Sequence, residues 1–89
     1  MPIALTLYGK PECHLCDEMK AVVVVLAREL RCSLEHIDIR SDPDLEARFA
    51  AEIPVLFVNG RKAFKFRVGE RELRRHLLDE IRRRGEERR

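Results

Sequence analysis

Ile3-Ala4-Leu5-Thr6-Leu7-Tyr8-Gly9-Lys10-Pro11-Glu12-Cys13-His14-Leu15-Cys16 is the stretch on which the fold turns. Large apolar residues at 3, 5 and 7 have the two-residue period of a strand. Gly9-Lys10-Pro11 breaks that strand. From Leu15 the period changes: Leu15, Met19, Val22, Val23, Leu26 and Leu30 follow the spacing of one helix face. The valines at 22–25 resist a helix, because β-branched side chains lose rotamer freedom there. The longer periodic pattern outweighs them. Both cysteines therefore fall where a strand gives way to a helix.

Downstream, Leu34 to Ile39 reads as a second strand, ended by Arg40-Ser41-Asp42-Pro43. Asp42 can cap a helix whose first position is Pro43, with Leu45 and Phe49 on its apolar side. Ile53-Pro54 leads into Val55-Leu56-Phe57-Val58, an apolar run suited to a central strand. Asn59-Gly60 signals a tight hairpin, since both residues tolerate positive φ. Beyond it Phe64, Phe66 and Val68 alternate with Lys65 and Arg67, which predicts an antiparallel strand with both aromatics in the core. A last helix follows Gly69, with Leu73, Leu77 and Ile81 inward and Arg82, Arg83 and Arg84 in its final turn. Gly85 is expected to stop it. The predicted order is β-α-β-α-β-β-α: a parallel crossover followed by a hairpin, giving a four-stranded mixed sheet with helices on both faces. Residues 1–84 are read as one domain and 85–89 as a short charged tail.

The 89 residues are 45% hydrophobic and 38% charged, the balance of a small globular domain. The longest aliphatic run, residues 21–27, is far below the ~20 residues of a membrane span. Net charge is only +2, but residues 61–89 hold twelve Lys and Arg against six Asp and Glu. No interleaved aromatic surface accompanies those cations, so a nucleic-acid partner is not expected. The start of the sequence lacks secretory-signal character, so a reducing cytoplasm is the expected compartment. Three cysteines, an odd count, argue against a disulfide framework, and a C-x-x-C pair in such a compartment is catalytic or metal-binding.

The reactive form of cysteine is the thiolate, and an ordinary pKa near ~8.5 leaves little of it at neutral pH. Cys13 lies where helix N–H groups can point at its sulfur. Lys10 in the same loop, and His14 when protonated, can add positive charge, while Glu12, Asp17 and Glu18 oppose it. Cys16 is nearly one helical turn further on, so both sulfurs can meet at the helix start. Cys13, the more exposed, is expected to attack a substrate disulfide and Cys16 to resolve the mixed disulfide.

A strand ending in Tyr8, then Lys10, a C-x-x-C opening a helix, and Ile53-Pro54 before a buried strand together resemble glutaredoxins of the thioredoxin-fold superfamily. The resemblance runs from Ile3 to about Ile81. It implies an α/β, three-layer, thioredoxin-like fold of glutaredoxin type and a thiol–disulfide oxidoreductase. It also implies a cis Ile53–Pro54 bond beside the cysteines, with the backbone of Ile53 free to pair with an extended substrate chain. His14-Leu15 stand where glutaredoxins usually carry Pro-Tyr, and residues 61–69 lack their Gly-Gly pair. Contacts to glutathione are expected from Lys10, Ile53, Lys65 and Arg67. No tightly bound cofactor is expected. Electrons would come from glutathione or a thioredoxin-system reductant, and partners would be disulfide-bearing proteins or glutathione itself, met by a monomer.

Two other readings compete. The pair could bind a metal or an iron–sulfur cluster, shared between two chains, or the fold could be a non-catalytic binding domain. Zinc normally wants four ligands. Cys32 lies about 24 Å from Cys16 at ~1.5 Å of rise per helical residue, too far to join it in one monomer. Cys32 is therefore read as a structural thiol, and His36 and His76 as surface or boundary residues.

Overall fold

The computed structural model describes residues 2–87. Its elements are β1 (Ala4–Gly9), α1 (His14–Glu29), β2 (Ser33–Asp38), a 3-10 turn (Ile39–Ser41), α2 (Pro43–Phe49), β3 (Val55–Val58), β4 (Arg61–Lys65) and α3 (Glu70–Glu87). This is the β-α-β-α-β-β-α order expected from the sequence. The sheet runs β2-β1-β3-β4, with β1 and β2 parallel and the remaining neighbours antiparallel.

Strand alternation sorts the core into two faces. Leu5 and Leu7 of β1 and Leu56 and Val58 of β3 pack with Met19, Val23 and Leu26 of α1 and Leu73 and Leu77 of α3. On the other face Tyr8 and Phe57 meet Phe49 of α2, with Tyr8 stacked on Phe49 at 4.8 Å between centroids. Val23 is fully buried and Val25 is 49% exposed, so the valine run straddles the boundary of an amphipathic helix. Asp42 caps α2, accepting from the Asp44 N–H at 2.8 Å, and Pro43 opens that helix as expected.

The hairpin turn has φ of +50° at Asn59 and +81° at Gly60. Asn59 also binds the chain start: its N–H donates to the Ala4 carbonyl at 2.8 Å, and its Oδ1 accepts from the Ala4 N–H at 2.9 Å. The hairpin is thereby fixed to the central strand.

Four details differ from the sequence reading. The second strand lies one residue earlier, because Asp38 Oδ1 takes the Arg40 N–H at 2.9 Å and starts the 3-10 turn at Ile39. The last strand stops at Lys65, after a bulge opposite Leu56 and Phe57 has interrupted its alternation. Phe66 takes φ +69° and is 41% exposed rather than in the core, while Phe64 is half-buried. Ile81 is 42% exposed, and α3 runs through Gly85 to Glu87. The 18 residues of α3 span about 27 Å. The strands are shorter than that, so its last turns outrun the sheet. One glycine costs a helix about 1 kcal/mol, too little to end it. Of the expected tail, residues 88–89 lie outside the described residues.

Candidate active site

The loop Lys10-Pro11-Glu12 carries the chain from β1 to α1 and ends with Glu12 at φ +58°. Outside glycine this left-handed backbone costs on the order of 1 kcal/mol. It turns Cys13 into the N-cap position of α1, with φ −119° and ψ 106°. A helix start has N–H groups without intrahelical partners. Here the Cys16 N–H donates to Cys13 Sγ at 3.2 Å. The sulfur thus occupies the place of a capping oxygen, at the positive end of the helix dipole.

Cys16 lies on the first turn with its Cα 5.2 Å from that of Cys13, and the two sulfurs are at disulfide-bonding distance. Their surroundings are unequal. Cys16 is 4% exposed and packs with Ile39, Phe49, Ile53 and Val55, whereas Cys13 is half-buried at the margin of that cluster. The Ile53–Pro54 peptide is cis. Ile53 shares the cluster with Cys16, and the Pro54 carbonyl accepts from the Phe66 N–H at 2.8 Å. The tip of β4 is therefore fixed to the proline segment.

Gly9, read from the sequence only as a strand breaker, also shapes the site by its lack of a side chain. A Cβ there would lie 3.1 Å from Cys16 Sγ, 3.3 Å from Cys16 Cβ and 3.7 Å from His36 Nε2. Behind Cys16 opens a cleft of about 380 Å³ bordered by Lys10, Asp17, Lys20, His36 and Asp38. His36, read as a surface or boundary residue, is exposed on β2 as expected and also borders this cleft. Burial and the Lys20 ammonium push its pKa below the ordinary value, against the pull of Asp38 and Asp17. Asp38 is held well below the usual carboxylate range by Arg40, whose guanidinium binds both its oxygens.

The family comparison settles the kinship. The glutaredoxin-like domain family (DUF836) matches residues 4–78. The chain belongs to this family. A solved structure of a protein from Nitrosomonas europaea is 29% identical with a TM-score of 0.71, covering 86% of this chain and 93% of that one. A protein of X. campestris is 32% identical with a TM-score of 0.67, covering 84% and 96%. A mutant thioredoxin from Halobacterium salinarum, 24% identical, covers 86% and 73% with a TM-score of 0.63 and shares the fold. No curated protein matches the chain.

Within the glutaredoxin-like frame, the remaining predicted site residues divide. Lys10 is exposed in the loop and borders the cleft. The His14 side chain is 87% exposed and its Nε2 lies 3.1 Å from Glu18 Oε1, so the ring is engaged along the helix surface. The Ile53 backbone is only half available: its N–H donates to the Phe49 carbonyl at 3.1 Å, which corrects the expectation of a fully free edge. Lys65 Nζ lies 3.8 Å from Glu52 Oε1 and 5.5 Å from the Phe66 ring centroid. Arg67 is exposed beside Phe66 along a shallow groove that includes Met19 and Val22. Cys32 is half-buried away from the pair, and burial pushes its thiol pKa up. Among the described residues no group of three or more His, Cys, Asp and Glu is placed to hold a metal ion, and no helix is long and apolar enough to cross a membrane.

Proposed function

We propose that this protein is a thiol–disulfide oxidoreductase in which Cys13 is the nucleophile and Cys16 the resolving thiol. The reading is carried by the Cys16 N–H aimed at Cys13 Sγ from 3.2 Å at a helix start. A donor so placed favours the thiolate over the thiol. In the reductive direction the Cys13 thiolate attacks one sulfur of a substrate disulfide, forming a mixed disulfide and expelling one thiolate. The deprotonated Cys16 sulfur then attacks Cys13 Sγ, closing the Cys13–Cys16 bond and expelling the second thiolate. The protein is oxidised by two electrons and the substrate reduced by two. Glutathione or a thioredoxin-type reductase system restores the dithiol.

Substrates are disulfide-bearing proteins or glutathione disulfide, engaged by a monomer in a reducing compartment such as the cytoplasm. Lys10 supports the thiolate electrostatically. The Ile53 carbonyl, which accepts no bond among the described residues, supports an extended substrate chain. Arg67 is the better placed cation for a glutathione carboxylate, since Lys65 is engaged by Glu52.

The test is disulfide reduction with each electron donor, together with trapping. Cys16→Ser should accumulate a mixed disulfide on Cys13, and Cys13→Ser should abolish both trapping and turnover. No turnover with either donor, in protein whose thiols are confirmed free, would overturn the proposal.

A further inference from the structure

Resolution demands something the helix start does not provide. Cys16 is 4% exposed, and burial in apolar surroundings favours a thiol over its thiolate. Its N–H already serves Cys13, so this sulfur needs its own means of losing a proton. The cleft behind it contains the charged groups that could take part. Asp38 is committed to Arg40 through both oxygens. Lys20 and Lys10 are cations when protonated and cannot accept. Asp17 is exposed on the first turn of α1, where water rather than the buried sulfur surrounds its carboxylate. The remaining group is the imidazole of His36. It stands on β2 in register with the uncharged Leu7, and a Cβ at Gly9 would lie 3.7 Å from its Nε2. The space left by the missing Gly9 side chain is where His36 Nε2 and Cys16 Sγ converge, 3.7 and 3.1 Å from one point.

We propose that His36 is the proton acceptor for Cys16 in the resolving step, acting across the gap over Gly9 through one bridging water. This rests on the oxidoreductase reading above and names the base it needs. Neutral His36 Nε2 takes the Cys16 proton as Cys16 Sγ attacks Cys13 Sγ. The bond from Cys13 to the substrate sulfur breaks, and the substrate leaves as a thiolate. The imidazolium then returns its proton to solvent or to that thiolate, so charge and atoms balance. His36 suits the task from both sides: burial and the Lys20 ammonium lower its pKa from the ordinary value and so favour the neutral imidazole, and its exposed edge lets the proton leave.

The experiment uses the reduced full-length protein and an aromatic disulfide, dithiobis-nitrobenzoate, whose released thiolate is coloured. The wild-type protein should release one equivalent as Cys13 attacks and a second as Cys16 closes the ring. His36→Gln should leave the first phase within about twofold and slow the second by on the order of tenfold to a hundredfold at pH 7, the lower reach of a positioned base. The deficit should shrink as pH passes the ordinary thiol value of ~8.5, and added imidazole should restore part of the rate. A second measurement needs no variant: the wild-type second-phase rate against pH should track the titration of the His36 ring followed by NMR. An unchanged second phase in a folded His36→Gln protein, or a wild-type profile unrelated to that titration, would overturn the assignment. A missing first phase in wild type would overturn the oxidoreductase reading itself, and the assignment with it.

Discussion

Gly9→Ala tests the geometry of the site more directly than any cysteine change. The backbone at Gly9 is not left-handed, so alanine is conformationally acceptable, and shrinking the unfolded ensemble would by itself stabilise the protein by about 0.4–1 kcal/mol. Against that, the new methyl would sit 3.1 Å from Cys16 Sγ and 3.3 Å from Cys16 Cβ. The neighbour has little room to give. Cys16 is 4% exposed, sits on the first turn of α1, is joined to Cys13 and is walled by Ile39, Phe49, Ile53 and Val55. Inserting a methyl into such packing costs typically 1–3 kcal/mol. The overpacking wins, and the expected net destabilisation is about 0.5–2 kcal/mol. With a urea m-value near ~1 kcal/mol per molar for a chain this small, the midpoint should fall by roughly 1 M. Reduction should recover part of the loss, because a free Cys16 side chain can rotate away. Gly85→Ala is the internal control. A Cβ there meets nothing within 4 Å and lies inside α3, so stability should rise by up to about 1 kcal/mol. An oxidised Gly9→Ala protein as stable as wild type would show that the strand end and Cys16 do not approach as closely as described.

Two further outcomes follow from the same structure. Glu12→Gly should stabilise the fold by roughly 0.5–1 kcal/mol in thermal or urea melts, since glycine relieves the left-handed φ of +58° at a modest entropic loss; a destabilised variant would show that the loop holds Glu12 by contacts instead. Acid should weaken the protein in two stages. Burial lowers the pKa of His36 from 6.5, so the unfolded chain takes up that proton first and stability begins to fall below about pH 6.5. Glu29, Asp38 and Glu52 are lowered by hydrogen bonds from Arg74, Arg40 and Lys62; their contribution is present above the ordinary carboxylate value and disappears as pH drops through the depressed folded ones. Urea midpoints between pH 8 and 2 should show both, with Glu29→Gln flattening the lower stage and His36→Gln the upper; a curve unchanged by either substitution would refute the assignment.

What the sequence disclosed of the fold was what local chemistry dictates. The change from a two-residue to a helical period around Gly9-Lys10-Pro11, the Asp42-Pro43 cap and the Asn59-Gly60 turn are each written in neighbouring residues, and each is present in the structure. The misreadings arose where distant parts overrule local pattern. Alternation through Phe64, Phe66 and Val68 suggested a continuing strand. A bulge consumes one step of that alternation, and the Pro54 carbonyl captures the Phe66 N–H, so the chain leaves the sheet. Ile81 continued a helical stripe, but how far a sheet reaches beneath a helix is not a local property. The 42% exposure of Ile81 shows that helical period and burial are separate facts.

The site divides along the same line. Cys13 as cap and Cys16 as buried neighbour could be placed from spacing alone, because both belong to one helix start. His36 and Gly9 could not, because their meeting with Cys16 is created by the parallel pairing of β1 with β2, across the 26 residues of chain between Gly9 and His36. The usable signal was register parity. In a parallel pair, Leu7 opposite His36 puts that histidine on the side of the sheet shared by Leu7 and Gly9, where a Gly9 Cβ would meet Cys16. A histidine on the edge strand, level with Leu7 on that side of the sheet, has Gly9 and the start of the cysteine helix beside it. The same glycine that lets the sulfur descend keeps the imidazole in reach of it. On the proposed mechanism, attack takes place at the start of α1 and proton removal across Gly9 toward β2, and a single methyl at Gly9 would disturb the second while leaving the Cys13 cap in place.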